Sequence, residues 1–318
     1  MPPSAPAKKF TLSDVRKDLK PLSDIIIVHG PGGVGKTTFA AGFPAPFFVP
    51  VEDGVRYLRP VPDCGPPIDT FDDIAATLEM LLNENHGYKT VVIDSIDEAE
   101  RLLKAKICRE ANKDSEWFEA FGQGYRMCPD HWRRVILLLT RLIREKGMSF
   151  VGLAHSRTRT FKNPEGADWP RWEISLTGDV QNPTGGAGIW KHWADAVLFA
   201  NFESIVVTNP NDKDPAALKK GKGMSTGKRL LYTNWNAAYD AKNRYGLPDS
   251  IALDYAEYAA AKASGAPAPA VDLYAEAVEL LGKVDKDTKA KAGPMVEANK
   301  NDPQRLAIVV NKLRSKVV

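Results

Sequence analysis

The residues Gly30-Pro31-Gly32-Gly33-Val34-Gly35-Lys36-Thr37 satisfy G-x-x-x-x-G-K-[ST] and follow directly on the apolar run Ile25-Ile26-Ile27-Val28. Glycines let a chain fold back without Cβ clashes, so that backbone N–H groups turn inward at the start of a helix, where the charge of a polyphosphate is favoured. Thr38-Phe39-Ala40-Ala41 supplies that helix. Gly30 through Thr38 would then cradle the phosphates, with Lys36 reaching the β- and γ-phosphates and Thr37 holding Mg²⁺. The pattern predicts nucleotide binding. It is silent on what the nucleotide drives.

Two acids extend the constellation. Phe47-Phe48-Val49-Pro50-Val51 reads as a short buried strand that ends at Glu52-Asp53-Gly54, and an acid at the carboxyl end of such a strand is well placed for chemistry. Thr90-Val91-Val92-Ile93-Asp94 is a β-branched run ending in aspartate and has the form of a Walker B strand, so Asp94 would bind Mg²⁺ opposite Thr37. A further buried strand, residues 148–154, terminates at His155.

The elements that must position these groups follow a strand–helix alternation, which predicts an α/β fold with a mostly parallel central sheet. Thr70 and Asp73 have the spacing of a capping box, and Phe71, Ile74, Leu78, Leu81 and Leu82 recur at helical spacing to about residue 85. Ser95 to Glu98 caps a helix over residues 96–111. Residues 112–126, which include Trp117, Phe118 and Tyr125, read as an aromatic, Gly-punctuated loop. Pro129 is placed to open a long helix that Gly147 closes. Residues 156–189 read as a long, weakly patterned insertion carrying Arg157, Arg159, Lys162, Trp169, Arg171 and Trp172. Residues 193–200 and 204–207 read as late strands, and an Ala-rich helix follows Pro248.

The domain reading is a Pro- and Lys-rich N-terminal segment over residues 1–22, an ATPase core over 23–262, an Ala/Pro linker over 263–270 and a small helical C-terminal region over 271–318. Leu306, Val309, Val310 and Leu313 form the apolar stripe of that last region. A formal net charge of +3 means that any nucleic-acid surface must come from local patches. Three cysteines without C-x-x-C spacing argue against a disulfide framework, and five scattered histidines argue against a structural zinc site. No apolar run approaches membrane-spanning length, so a soluble cytoplasmic protein without membrane contact is expected.

Taken together, the phosphate loop, the acid after the second strand, the Walker B strand, the His-tipped strand and Lys242-Asn243-Arg244-Tyr245-Gly246 resemble the RecA-type P-loop ATPase core over residues 23–250. More narrowly, Gly30 to Thr38, Gly42-Phe43-Pro44, Tyr88 to Asp94, Leu153 to Ser156 and Ala241 to Pro248 are similar to the phage-encoded RecA-like ATP-binding proteins that include single-strand annealing proteins. The Lys-Asn-Arg-Tyr-Gly segment is similar to the Lys-Asn-Arg-Phe-Gly motif of the RadA recombination ATPases, with Tyr245 in place of phenylalanine.

The resemblance implies ATP and Mg²⁺ as cofactors, Glu52 as the group that polarises the attacking water, with Asp53 its adjacent competitor, and His155 as the γ-phosphate sensor. It implies that Lys242 and Arg244 complete a neighbouring subunit's site, so that the active enzyme is a homo-oligomer. It also implies that residues 112–126 and 156–175 face single-stranded DNA, through Arg157, Arg159, Lys162, Arg171, Trp169, Trp172, Trp117, Phe118 and Tyr125. The function expected is an ATP-driven single-stranded-DNA-binding protein promoting annealing or strand exchange in phage recombination. A replicative-type helicase motor shares every motif. A nucleotide-gated assembly protein, recruiting a single-strand-binding or other recombination protein through residues 271–318, and a small-molecule kinase are the rivals from other classes.

Overall fold

The computed structural model describes residue 11 and residues 23–113, 123–163, 166–207, 222–264, 273–300, 309–310 and 312–313. The elements in chain order are β1 (Ile25–Gly30), α1 (Lys36–Ala41), β2 (Pro46–Pro50), β3 (Asp63–Cys64), α2 (Phe71–Asn83), β4 (Thr90–Asp94), α3 (Ile96–Glu110), α4 (Gln123–Lys146), β5 (Ser149–Phe161), β6 (Trp169–Ile174), α5 (Gly186–Trp193), β7 (Ala196–Val207), β8 (Lys222–Tyr232), β9 (Lys242–Asn243), β10 (Ser250–Ala252), α6 (Tyr255–Ala263), α7 (Leu273–Leu281) and α8 (Lys286–Ala298).

The sheet runs β10-β8-β7-β1-β5-β4-β2-β3, with β6 paired to β5 and β9 to β7. From β7 to β3 every neighbour is parallel; β8 and β10 extend it antiparallel. This is the α/β arrangement expected from the sequence.

Burial on both faces explains the unbroken apolar runs of the central strands. In β1, Ile25 and Ile27 join the larger core beneath α2, α3, α4 and α5, while Ile26 and Val28 join the smaller core with Phe39 and Phe43 of the α1 segment and Tyr258 of α6. Strands β2 and β4 divide in the same way, with Phe48 and Val92 facing Tyr258's side. Trp132 anchors the larger core: it is fully buried and meets Phe71 and Trp190 edge-on, each at 5.2 Å. A third cluster joins Ala277, Val296, Val309, Val310 and Leu313; Leu306 lies outside the described residues.

Several expected boundaries differ. The long helix begins at Gln123, and Pro129 lies inside it. Pro129 costs one intrahelical donor, while Cys128 and Trp132 around it are buried, which holds the turn against the core. Strand β5 does not end at His155 but continues to Phe161, and with β6 forms a hairpin in which Thr158 faces Trp172 and Arg159 faces Arg171. The Thr/Arg alternation of residues 157–160 carries no apolar signal, so the hairpin reads as an insertion. Trp193 closes α5, and the late strands are one strand, β7, with an irregularity between Phe202 and Ser204.

Trp132→Ala would lose the transfer energy of the indole and leave a cavity between α2, α4 and α5, a loss of about 3–5 kcal/mol. Urea unfolding followed by fluorescence of the remaining tryptophans should show the midpoint fall accordingly.

Candidate functional site

Parallel register brings the carboxyl ends of β1, β2 and β4 to one edge, level with His155 within β5. Gly30 lies beside His155, Leu153 beside Asp94, and Asp94 beside Pro50. At Gly30 only glycine fits, because a Cβ there would lie 2.2 Å from the carbonyl oxygen of Ala200 on β7. Gly35, with φ of 110°, sits in the left-handed region that favours glycine and caps α1. The loop between them encloses Lys36, which is buried and donates to the carbonyls of Gly30 and Pro31, both at 3.0 Å. Burial pulls the Lys36 ammonium below its usual range, and the carboxylates of Asp97, Asp94 and Glu52 oppose that pull.

Thr37 Oγ1 donates to Asp94 Oδ2 at 2.9 Å, so the two expected Mg²⁺ ligands meet. A hydroxyl and a carboxylate oxygen are the hard donors that Mg²⁺ prefers. Burial raises the Asp94 carboxyl to about 6, partly offset by the Thr37 hydroxyl. The Glu52 N–H donates to the Asp94 carbonyl at 2.8 Å, and its Oε1 accepts a short bond from Ser95 Oγ. These groups line a cleft of about 380 Å³ together with Gly54, Tyr57, His155 and Arg229.

Asp97, in the first turn of α3, has no part in the sequence reading of the site. It accepts from the backbone N–H and from Nδ1 of His155, each at 2.9 Å, and so fixes the ring beside Glu52, whose Oε1 is 3.9 Å from Nδ1. The Asp97 bond raises the His155 imidazole above its ordinary pKa. Burial alone would raise the Asp97 carboxyl, but the two bonds from His155 outweigh it and hold the group low. Glu52, Asp97 and His155 place one ligand atom each within 4.8 Å of one another, a second set able to hold a cation. An acid in the first turn of a helix ordinarily serves the backbone, which is why sequence spacing does not single out Asp97.

The other candidates lie elsewhere. Lys242 and Arg244 are at the opposite, amino end of β1, where the Ile25 N–H donates to Tyr245 Oη at 2.9 Å. Lys242 Nζ donates to the carbonyls of Lys191, His192 and Ala194 at 2.8, 3.2 and 2.6 Å, so it closes the C-terminus of α5 and is turned into its own chain. Arg244 is exposed and pairs with Asp195 at 3.2 Å.

In the β5–β6 hairpin, Arg171 is fully buried, ion-paired with Glu173 at 2.7 Å and stacked over Phe161. It offers no surface for a nucleic acid, which corrects its expected role. Arg157 and Arg159 donate short bonds to the carbonyls of Leu176 and Gly178 on the same face. The opposite face presents Thr158, Thr160 and Trp172 to solvent. Trp169 Nε1 donates to the Ala237 carbonyl at 2.8 Å, and the exposed Lys162 pairs with Asp168. Trp117, Phe118 and the side chain of Tyr125 lie outside the described residues.

A strand–loop–helix that encloses a lysine, with a threonine bonded to the aspartate of a parallel strand two places away, defines a P-loop nucleotide-binding site. A family model described as an AAA domain matches residues 24–245, and the chain belongs to that family, a nucleotide-binding ATPase domain. Among solved structures, the RadB recombinase is similar at 12% identity, covering 66% of this chain and 80% of that chain with a TM-score of 0.33. No curated protein matches the chain. No described helix is long and apolar enough to cross a membrane.

His29, one residue before the loop, ties β1 to the hairpin. Its Nε2–H donates to the Asp240 carbonyl and its Nδ1 accepts from Ser156 Oγ, both at 2.9 Å. Burial lowers this imidazole from 6.5 to about 4. The unfolded chain therefore takes up a proton that the folded chain refuses between pH 6.5 and about 4, and stability should fall by up to about 3 kcal/mol as pH drops through that window. Urea midpoints across this range should fall less steeply in His29→Gln than in the wild type.

Proposed function

We propose that the chain hydrolyses ATP to ADP and phosphate and couples this to single-stranded DNA. The bond from Thr37 to Asp94, with Glu52 hydrogen-bonded to the same aspartate's backbone, carries the hydrolytic reading, because it gathers a hydroxyl, a carboxylate suited to Mg²⁺ and a second carboxylate around one enclosed lysine.

Lys36 and the N–H groups of the loop would bind the phosphate chain, with Thr37 and Asp94 holding Mg²⁺. The ion, when bound, supplies charge neutralisation at the transferred phosphoryl group. Glu52, held by Ser95, would orient the attacking water and accept its proton. His155, held by Asp97 beside Glu52, would report the presence of the γ-phosphate, and it stands on the strand that continues directly into the hairpin. Arg244, exposed at the far edge, remains the candidate for completing a neighbouring subunit's site in a homo-oligomer.

The DNA reading is supported by the outward face of the hairpin, where Trp172 offers an exposed ring for base stacking, and by the exposed Lys162 farther along the hairpin, which is paired with Asp168. The tethering of Arg157 and Arg159 and the burial of Arg171 shift that reading from phosphate contacts toward stacking. Annealing or strand exchange in phage recombination is the process we infer for such a coupling.

Steady-state hydrolysis with and without single-stranded DNA, across a salt series, tests the reading. Lys36→Ala should abolish turnover, and Glu52→Gln should lower kcat about 100-fold or more while ATP binding persists. DNA should stimulate the wild type at low salt and lose that effect as salt rises. Hydrolysis indifferent to DNA at low salt would sink the coupling, and strand displacement from a forked duplex would favour an unwinding motor. Trp172→Ala should weaken single-stranded-DNA binding by about 1–3 kcal/mol in a fluorescence anisotropy titration, with DNA-free turnover unchanged.

A further inference from the structure

A cation outside every sequence motif reaches the phosphate loop. Arg229 lies on β8, paired across to Phe202 of β7, and its carbonyl accepts from the Leu253 N–H at 3.0 Å, so its backbone is held from both sides. Its side chain lies across the loop: a Cβ placed on Gly35 would be 3.2 Å from Arg229 Nη1. It lines the same cleft as Lys36, Thr37 and Glu52. The guanidinium packs over the Phe202 ring, 5.8 Å from its centroid, and no described carboxylate pairs with it. Glu203, on the same pair of strands, is engaged by Thr226 at 2.6 Å and Lys228 at 4.0 Å.

Charge balance gives this placement a purpose. A triphosphate brings several negative charges into a cleft lined by the carboxylates of Glu52 and Asp94, and Arg229 stands with Lys36 among its lining residues. We propose that Arg229 binds the phosphate chain of the nucleotide from within the same chain. Its planar fork suits two phosphoryl oxygens at once, which an ammonium cannot match. This rests on the reading of the cleft as an ATP site, and it differs from the role considered for Arg244, because Arg229 needs no neighbouring subunit.

The test is titration of the full chain with a fluorescent ATP analogue in the presence of Mg²⁺, at several protein concentrations. Arg229→Gln should weaken the Kd about tenfold, and Arg229→Lys should recover only part of it. The ratio to wild type should be the same at every protein concentration, and the nucleotide-induced rise in Tm should shrink while the Tm without nucleotide stays put. Wild-type affinity in Arg229→Gln, with binding lost in Lys36→Ala, would overturn this inference and leave the ATP site standing. Should Arg229→Gln melt early without nucleotide, Arg229→Lys decides, and wild-type affinity there would overturn the requirement for the fork. A wild-type chain that binds no analogue would overturn the ATP site itself, and this inference with it.

Discussion

Parallel register across β2, β4, β5 and β1 is the constraint on which the site depends. Parallel strands end together, so the residues just past their carboxyl ends are gathered without any contact between them in sequence. Gly30 and Asp94 end β1 and β4, Glu52 follows the end of β2, and His155 lies level with Gly30 within β5, so residues spread over more than a third of the chain meet at one edge. The apolar side chains that fix the register lie on both faces, and a one-residue slip would exchange the two cores. Ile26 and Val28 would then meet Trp132's side of the sheet, and Gly30 would no longer lie beside His155. The packing that stabilises the sheet and the geometry of the cleft are one requirement.

The acids around the cleft are engaged one by one. Thr37 engages Asp94, and His155 engages Asp97, while Glu52 Oε1 takes the Ser95 hydroxyl and lies 3.9 Å from His155 Nδ1. Asp94 and Asp97 are each engaged by another side chain's hydrogen bond, and Glu52 lines the cleft with its side-chain contacts at Oε1. This geometry distinguishes it from Asp53, the adjacent acid, which is exposed and paired with Arg56 at 2.9 Å.

Local spacing made the loop, Asp94 and Glu52 legible, because each stands at the end of a buried apolar run, and that pattern survives in one dimension. Asp97 and Arg229 were not legible. The first looks like any acid in a first helical turn, and the second sits in a polar edge strand whose partner is set by tertiary pairing. The placement of the hairpin arginines was hidden for a related reason. Arg157, Arg159 and Arg171 are consistent with a basic loop when read in sequence, yet the pleat turns all of them to one face, and that face is the inner one. The contacts of Lys242 were hidden in the same way, since a lysine that closes the end of α5 and one that faces a neighbouring subunit have the same signature in sequence.

The inward turn of those cations changes what the hairpin can do. Arg171, Glu173, Asp240 and Lys191 form a buried, charge-balanced set, and His29 touches it through the Asp240 carbonyl. Leaving any member unpaired would carry the desolvation cost of a lone buried charge, so the set resists partial opening. The hairpin is thus bound to β1 through this set and to β5 by direct continuity. A shift of His155 on nucleotide binding would reach Trp172 through a stiff connection, because the strand that carries the ring of one carries the pairing partner of the other.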